Sequence, residues 1–169
     1  GGIYSGTDAA PTIDGNTIRN NRAGNRATSN QLTGGGGIAM YGRIEAGTTV
    51  VSRNLIYSNT AADQGGGIQA GGFFTTASTW ESGVGTVETN VLFTNDAPNG
   101  GGIQTDTTRA LMRNNTLSDD TADYGGAAYV APPNSPAVNP TDGPTLANDL
   151  LTFNTANQAA GGGGPYVAV

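Results

Sequence analysis

The sequence predicts an all-β protein in which one chain winds into a parallel β-solenoid, and three observations lead to this fold class. A short phrase recurs five times along 169 residues, a glycine cluster follows each phrase, and helical periodicity is missing. The phrases start 38, 36, 25 and 34 residues apart (16 to 54, 54 to 90, 90 to 115, 115 to 149). Such periods are typical of solenoids, propellers and arrays. Dense Gly, Asn, Thr and Pro disfavour a helical repeat.

The phrase has four fixed positions, and it is clearest at residues 54–61. The first and third positions hold Asn or Asp, the second an aliphatic residue, and the fourth Ala. The first is Asn16, Asn54, Asn90, Asn115 and Asp149, and the third is Asn21, Asn59, Asn95, Asp120 and Asn154. The second is Ile18, Ile56, Leu92, Leu117 and Leu151, and the fourth is Ala23, Ala61, Ala97, Ala122 and Ala156. Another apolar residue precedes each phrase: Ile13, Val51, Val87, Met112 and Leu146.

Three apolar points per repeat predict one coil with an inward residue on each of three faces. They are the residue before the phrase, the aliphatic residue inside it and the residue after the glycines (Ile38, Ile68, Ile103). Short strands are expected at segments such as 48–51, 55–57, 67–70 and 91–94. Because coils stack at about 4.8 Å, the two Asn columns are expected to form hydrogen-bonded ladders. Asn at these corners and Gly in the clusters suit left-handed backbone, and Ala suits a cramped inward corner.

Insertions after the phrases carry the variation in repeat length, and the first of them is a polar insertion at 24–34. Residues 69–85 contain Phe73, Phe74 and Trp80, and residues 130–144 contain five prolines. Both insertions follow a glycine cluster, so they are expected as long loops on one side of the stack. Such insertions often form a binding face. The three aromatic residues are expected either to bind a partner or to fold back over the solenoid wall.

Composition excludes several functions. The chain has no Cys and no His, and its seven cationic residues are all Arg. A Ser-His-Asp triad, a Cys-His nucleophile, His-ligated zinc and disulfides are therefore excluded. A net charge of −6 argues against a nucleic-acid partner, and no apolar run approaches a membrane span. The low charged fraction of 12% favours an extracellular or cell-surface location.

One acidic cluster is a candidate metal site. Asp119, Asp120 and Asp123 lie close together in the sequence, and oxygen-only clusters can hold Ca²⁺. Their spacing matches no known calcium loop, and the Gly-Gly-x-Gly-x-Asp phrase of calcium-binding solenoids is missing. The sequence therefore predicts no cofactor, with calcium as the alternative.

The paired phrases resemble a known superfamily. A Gly-Gly-Ile phrase combined with apolar-x-x-Asn (residues 56–59 and 92–95) resembles the right-handed parallel β-helix superfamily that contains pectate lyases and polygalacturonases. Within it, the repeats are similar to those of chlamydial-type polymorphic outer-membrane proteins and related bacterial surface proteins. The resemblance covers nearly the whole chain and implies a right-handed coil, and the five phrases predict about five turns. It says little about function, because this fold carries enzymes, adhesins and inert stalks.

A polysaccharide lyase or hydrolase is the least favoured function. The resemblance implies paired carboxylates and a His for hydrolases, and calcium-binding acids with an Arg base for lyases. This chain has no His, and Asp120 shares its column with the neutral Asn95 and Asn154. Arg113, near Asp119 and Asp120 in sequence, is the only combination that resembles the lyase arrangement. The expectation is a protein that is not an enzyme.

The favoured function is structural. Residues 1–169 are expected to form one solenoid domain that starts and ends partway through a coil, because Gly1-Gly2-Ile3 repeats the glycine phrase and 161–169 is a partial coil. Unpaired strand edges pair with other chains, so copies are expected to stack head to tail into a fibre or stalk. The chain being a segment of a longer stalk is one alternative. Another is an adhesin or carbohydrate-binding module that uses loops 69–85 and 130–144 to bind surface glycans or host proteins.

Overall fold

The computed structural model describes residues 1–6, 9–24, 34–41, 48–71, 73–74, 80–81, 85–106, 109–130, 144–158 and 166–167. These residues form short β-strands, numbered β1 to β23 along the chain, and no helix. The expected all-β class is therefore confirmed. No helix in these ranges has the length and apolar character needed to cross a membrane.

Four sheets contain all the described strands except one hairpin. Sheet 1 contains β2 (Thr12–Asp14), β6 (Thr49–Ser52), β12 (Gly85–Glu88), β16 (Leu111–Arg113) and β20 (Thr145–Ala147). Sheet 2 contains β3 (Thr17–Arg19), β7 (Leu55–Tyr57), β13 (Val91–Phe93), β17 (Thr116–Ser118) and β21 (Leu150–Thr152). Sheet 3 contains β4 (Arg22–Ala23), β8 (Thr60–Ala61), β14 (Asp96–Asn99), β18 (Thr121–Tyr124) and β22 (Thr155–Ala156). Sheet 4 contains β1 (Ile3–Ser5), β5 (Ile38–Tyr41), β9 (Ile68–Gly71), β15 (Ile103–Asp106), β19 (Ala128–Val130) and β23 (Tyr166–Val167). The hairpin pairs β10 (Phe73–Phe74) with β11 (Trp80–Glu81).

The chain visits sheets 1, 2, 3 and 4 in turn, and each circuit is one turn of a parallel β-solenoid. Neighbouring strands pair in parallel throughout sheets 1 to 3, and in sheet 4 up to β19. Three consecutive turns are each described without an internal gap: 48–71, 85–106 and 109–130. The turns before and after them are described only in part. The predicted solenoid is thus confirmed with about three full turns, fewer than the expected five. Its right-handedness stays a prediction.

Equivalent apolar residues stack in the interior as the repeats predict. In sheet 2 the register pairs Ile18 with Ile56, Ile56 with Leu92, and Leu92 with Leu117. The corresponding columns of sheets 1 and 4 place Val51 beside Val87 and Ile68 beside Ile103. The central members of these columns are at most 2% exposed. The predicted strands 55–57 and 91–94 match β7 and β13 to within one residue.

The structure has four faces where the sequence predicted three. The Ala column, expected as a corner, forms the separate short sheet 3, and Ala61, Ala97 and Ala122 are buried on it. The glycine clusters lie close to this sheet. A Cβ on Gly66 would lie 2.6 Å from the backbone nitrogen of Asp96, and one on Gly101 would lie 2.4 Å from the Thr121 oxygen. The glycine segment therefore lies directly against the sheet 3 strand of the next turn.

Two of the long connections share one corner, whereas the connection from β4 to β5 joins sheet 3 to sheet 4. Residues 72–84 link β9 to β12, and residues 131–143 link β19 to β20, so both run from sheet 4 to sheet 1. This connectivity agrees with the prediction that both insertions leave the same side of the stack. Apart from the hairpin backbone, the predicted insertions at 24–34, 69–85 and 130–144 lie largely outside the described residues.

The last described strand departs from the repeat. β23 pairs antiparallel to β19, with Val167 opposite Ala128 and Tyr166 opposite Tyr129. The sequence predicted a parallel partial coil at 161–169, because the same glycine phrase precedes it. The antiparallel pairing requires the chain to reverse direction between β22 and β23, so the parallel order of sheet 4 ends at β19.

Candidate functional site: two polar ladders and their open edges

Two ladders of amide side chains run through the interior along the stacking direction. The first ladder is Asn16, Asn54, Asn90, Asn115 and Asp149, and the second ladder is Asn21, Asn59, Asn95, Asp120 and Asn154. The first lies between sheets 1 and 2, and the second lies between sheets 2 and 3. The sequence columns and the hydrogen bonds therefore identify the same ten residues.

An inner rung uses its amide group completely. The Asn90 backbone N–H and Nδ2 each donate to Oδ1 of Asn115 in the next turn, both at 3.0 Å. Asn90 Nδ2 also donates to the Val51 carbonyl of the preceding turn at 2.9 Å. Asn90 Oδ1 in turn accepts two N–H groups from Asn54. The Asn90 side chain thus donates two hydrogen bonds and accepts two, and these bonds join three turns. They satisfy the hydrogen-bonding capacity of an amide that is only 1% exposed.

The left-handed backbone lies one residue before each rung. All ten ladder residues follow a residue of positive φ: Gly15, Asn20, Arg53, Ser58, Thr89, Thr94, Asn114, Asp119, Asn148 and Phe153. The expectation that the ladder Asn itself adopts this conformation was wrong. A rung must keep the backbone orientation that lets its N–H donate along the ladder, so the preceding residue makes the corner. In β-branched residues such as Thr94 (φ 53°) this costs about 1–2 kcal/mol.

Asp120 places a carboxyl group where the other inner rungs of the second ladder have an amide. Its Oδ1 accepts the Asn95 backbone N–H at 2.8 Å and Nδ2 at 3.0 Å, as an Asn oxygen would. Its Oδ2 occupies the place of an amide nitrogen, is buried, and has no hydrogen-bond partner. In neighbouring rungs this position donates to the next rung's Oδ1 and to a carbonyl of the preceding turn. Burial raises the pKa of the Asp120 carboxyl to about 7, against hydrogen bonds from Asn95 that lower it. A protonated Oδ2 supplies the donor that the ladder requires.

The candidate calcium ligands do not converge. Asp120 points into the ladder, whereas Asp119 forms an exposed corner and Asp123 lies on β18. Within the described ranges, no three acidic side chains lie close enough to hold a metal ion. Asp123 instead faces Asp96 across an open pocket of about 170 Å³ on sheet 3. Burial and then the Asp123 charge raise the pKa of Asp96.

The resemblance to a lyase base is not supported by the contacts of Arg113. Its guanidinium bonds Glu88 on sheet 1, with Nε–Oε2 at 2.8 Å and Nη2–Oε2 at 2.7 Å. On the same face Asp14 accepts hydrogen bonds from Ser52 and Arg53, which hold its pKa below the usual value. Both acids therefore bond to residues of the adjacent turn.

The predicted aromatic binding residues lie on the hairpin. Phe74 pairs with Trp80, and Phe73 pairs with Glu81, in an antiparallel register. The positions of the side chains of Phe73, Phe74 and Trp80 lie outside the described structure. The hairpin backbone thus brings the three aromatic residues into one place, and their contacts stay a prediction.

Sequence reasoning missed an aromatic stack on the outer face of sheet 2. The rings of Tyr57 and Phe93 are parallel within 5° at a centroid distance of 4.7 Å, and the Arg19 guanidinium lies 5.9 Å from the Tyr57 centroid. Leu55 and Val91 flank the stack and are 38% and 41% exposed. The rings turn their faces toward each other, so the stack mainly stabilises adjacent turns. Aligning the repeats would have found it, because the two rings share one column.

Comparisons with known proteins gave no match to any protein-family model, curated protein or solved structure. The parallel solenoid and its ladders therefore rest on the geometry of this chain alone.

Proposed function

We propose that this chain is a non-catalytic structural module outside the cell, a solenoid subunit that stacks head to tail with other copies into a surface fibre or stalk. The observation that carries the proposal is that one end of the ladders presents Oδ1 acceptors and the other end presents backbone N–H donors. We include in the proposal a right-handed coil and membership of the β-helix superfamily that the repeats resemble. The stacked repeats and their buried amide ladders support that assignment.

The ladders have a direction. Each Asn rung donates backbone and amide N–H groups to the Oδ1 of the next turn, as Asn59 does to Asn95, and Asp120 donates its backbone N–H in the same direction. At one edge of the stack, Oδ1 of Asn16 and Oδ1 of Asn21 have no donor among the described residues. At the other edge, the backbone N–H groups of Asp149 and Asn154 have no described acceptor.

This polarity favours one assembly geometry. Two like edges cannot continue the ladders, because Oδ1 acceptors would face Oδ1 acceptors or backbone N–H donors of the rungs would face each other. An acceptor edge placed on a donor edge continues both ladders and extends sheets 1 to 3 by parallel pairing. Repeating this contact gives an open, polar filament.

Electron microscopy of the purified chain, with its mass in solution, tests the proposal. We expect filaments with an axial repeat of about 24 Å, which is five strand spacings of about 4.8 Å. A monodisperse monomer at high concentration contradicts self-assembly and leaves extension by further coils of a longer chain. Cleavage of a polysaccharide by the purified chain would contradict the non-catalytic role.

A pair of variants tests the ladder edge itself. Asn154→Asp replaces the amide donor at the donor edge with an acceptor, so we expect weaker assembly. Asn157→Asp makes the same charge change on an exposed residue near this edge but outside the ladders. Equal effects of the two variants would show that charge, and not the ladder, controls assembly.

One observation favours a second function, an adhesin or carbohydrate-binding module. The insertions 72–84 and 131–143 both link sheet 4 to sheet 1, which places their attachment points along one corner. Replacing Phe74 and Trp80 with Ala is expected to abolish binding on a glycan array while leaving any assembly unchanged. The control is Phe93→Ala, which removes an aromatic residue from the outer face of sheet 2, outside both insertions. Retained binding in the Phe74 and Trp80 variants would contradict this function.

A further inference from the structure

Sheet 4 has one strand more than the other sheets. Sheets 1, 2 and 3 each contain five strands, one from each repeat, whereas sheet 4 contains six. The additional strand arises because β1 lies beyond β5 at one edge and β23 lies beyond β19 at the other. The two edge strands therefore belong to opposite ends of the same sheet.

Head-to-tail stacking leaves room for only one of these strands. In a continuous solenoid the chain crosses sheet 4 once between a sheet 3 strand and the following sheet 1 strand. Between β22 of one copy and β2 of the next there is thus one sheet 4 position. β23 of the first copy and β1 of the second copy both correspond to this position, so they compete for the edge of β19.

β1 matches the repeat pattern at this sheet 4 position more closely than β23 does. The Gly2 N–H donates to the Gly37 carbonyl at 3.1 Å and Ile3 N–H to the same oxygen at 3.0 Å, as the inner glycine clusters do. Its Ile3 continues the inward column of Ile38, Ile68 and Ile103. β23 has only two paired residues, and these run in the opposite direction.

The turn 109–130 has backbone N–H groups at its sheet 4 edge for which no described residue supplies a backbone acceptor. In the turn before it, Gly101 and Gly102 donate their N–H groups to Gly125 and Gly126. The equivalent N–H groups of Gly126 and Ala127 are buried and have no backbone acceptor among the described residues. A glycine phrase aligned in parallel, such as that of β1, carries carbonyl groups in the matching positions.

We infer that β23 covers the edge of sheet 4 in the free subunit and is displaced by β1 of a second copy when subunits stack. The inference rests on the proposed function, because it names the strand exchange that controls that assembly. The partner is a second copy of this chain, and its binding surface is the edge of β19.

A reversible cross-link tests the exchange in the full chain. Tyr129→Cys combined with Tyr166→Cys places two thiols at paired positions across β19 and β23, and the native chain has no Cys. The oxidised protein is expected to lose assembly, and a reductant is expected to restore it. The control is Phe73→Cys with Glu81→Cys, which cross-links paired positions of the hairpin away from this edge. Its assembly is expected to be unchanged by oxidation.

A second variant separates the two ways of failing. Val167→Pro disrupts the pairing of β23 and is expected to assemble at lower protein concentration than the native chain. If the oxidised cross-linked protein assembles as well as the reduced one, the inference is overturned and head-to-tail stacking stands. If the folded Val167→Pro protein stays monomeric, head-to-tail stacking itself fails and the exchange fails with it.

Discussion

The two ladders pass through the same turns with the same amide chemistry, but each contains its Asp at a different place. In the first ladder Asp149 is the last rung and is partly exposed, whereas in the second Asp120 lies between two amide rungs and is 0% exposed. Both use Oδ1 to accept the two N–H groups of the preceding rung. Oδ2 of Asp149, like Oδ2 of Asp120, is buried without a hydrogen-bond partner, so Asp replaces Asn as an acceptor in both ladders, and only a protonated Asp also replaces it as a donor.

The largest expected effect comes from removing an inner rung. Asn59→Ala leaves the Ile18 carbonyl and both Asn21 donors without partners in the interior, so we expect a loss of about 3–5 kcal/mol in the free energy of unfolding. Asn16→Ala removes an exposed end rung of the first ladder, and we expect a loss of about 1 kcal/mol or less. Urea unfolding followed by circular dichroism measures both values. Equal losses would show that rung position does not matter.

A smaller effect is expected from the charge of Asp120. Its folded pKa of about 7 lies above the ordinary value of 3.8, so the folded state binds more protons between these values. The contribution of this group to stability is therefore complete below about pH 4 and is lost as the pH rises toward 7. Relative to Asp120→Asn, we expect the native chain to lose about 2–4 kcal/mol between pH 4 and pH 8.

Unfolding of both proteins across this pH range measures the difference. Asp120→Asn supplies the amide donor at every pH, and it is the matched control because it leaves the Oδ1 contacts with Asn95 in place. Parallel pH profiles of the two proteins would contradict the protonated rung.

The smallest expected effect concerns the corners before the rungs. Thr94→Asn places a residue that tolerates left-handed backbone before Asn95, so we expect a gain of about 1 kcal/mol. The reverse change, Asn20→Thr, introduces the same strain before Asn21 and is expected to cost about as much. Thermal unfolding of the two variants separates corner strain from rung chemistry. If Thr94→Asn also lowers stability, the contacts of the Thr94 side chain outweigh the backbone strain, and the prediction fails.

The sequence predicted those features that repeat in register. Ladder residues such as Asn59 and core residues such as Ile56 recur at fixed spacing, because stacked turns impose the same environment on each. The left-handed corners gave a weaker signal, because only half of them are Gly, Asn or Asp. Since Arg53, Thr89 and Phe153 also occupy that position, it requires a left-handed backbone without fixing the residue type.

Other features depend on geometry that a sequence pattern does not contain. β23 follows a glycine phrase like the others, and its reversal depends on the path of the chain after β22. Asp120 was expected either in a ladder or at a calcium site. The repeat pattern predicts its place in the ladder, but it does not contain the burial that leaves Oδ2 without a partner and raises the pKa of the carboxyl to about 7.

The direction of the ladders also has a mechanical consequence. Interstrand hydrogen bonds and amide rungs both point along the stacking axis, so a tensile force on that axis loads all the bonds of one interface together. A force applied to the chain at one end instead detaches one turn at a time, because each turn is held mainly by its neighbour. A stack of such turns therefore resists a force spread over a whole interface better than a force that detaches its turns one by one from an end.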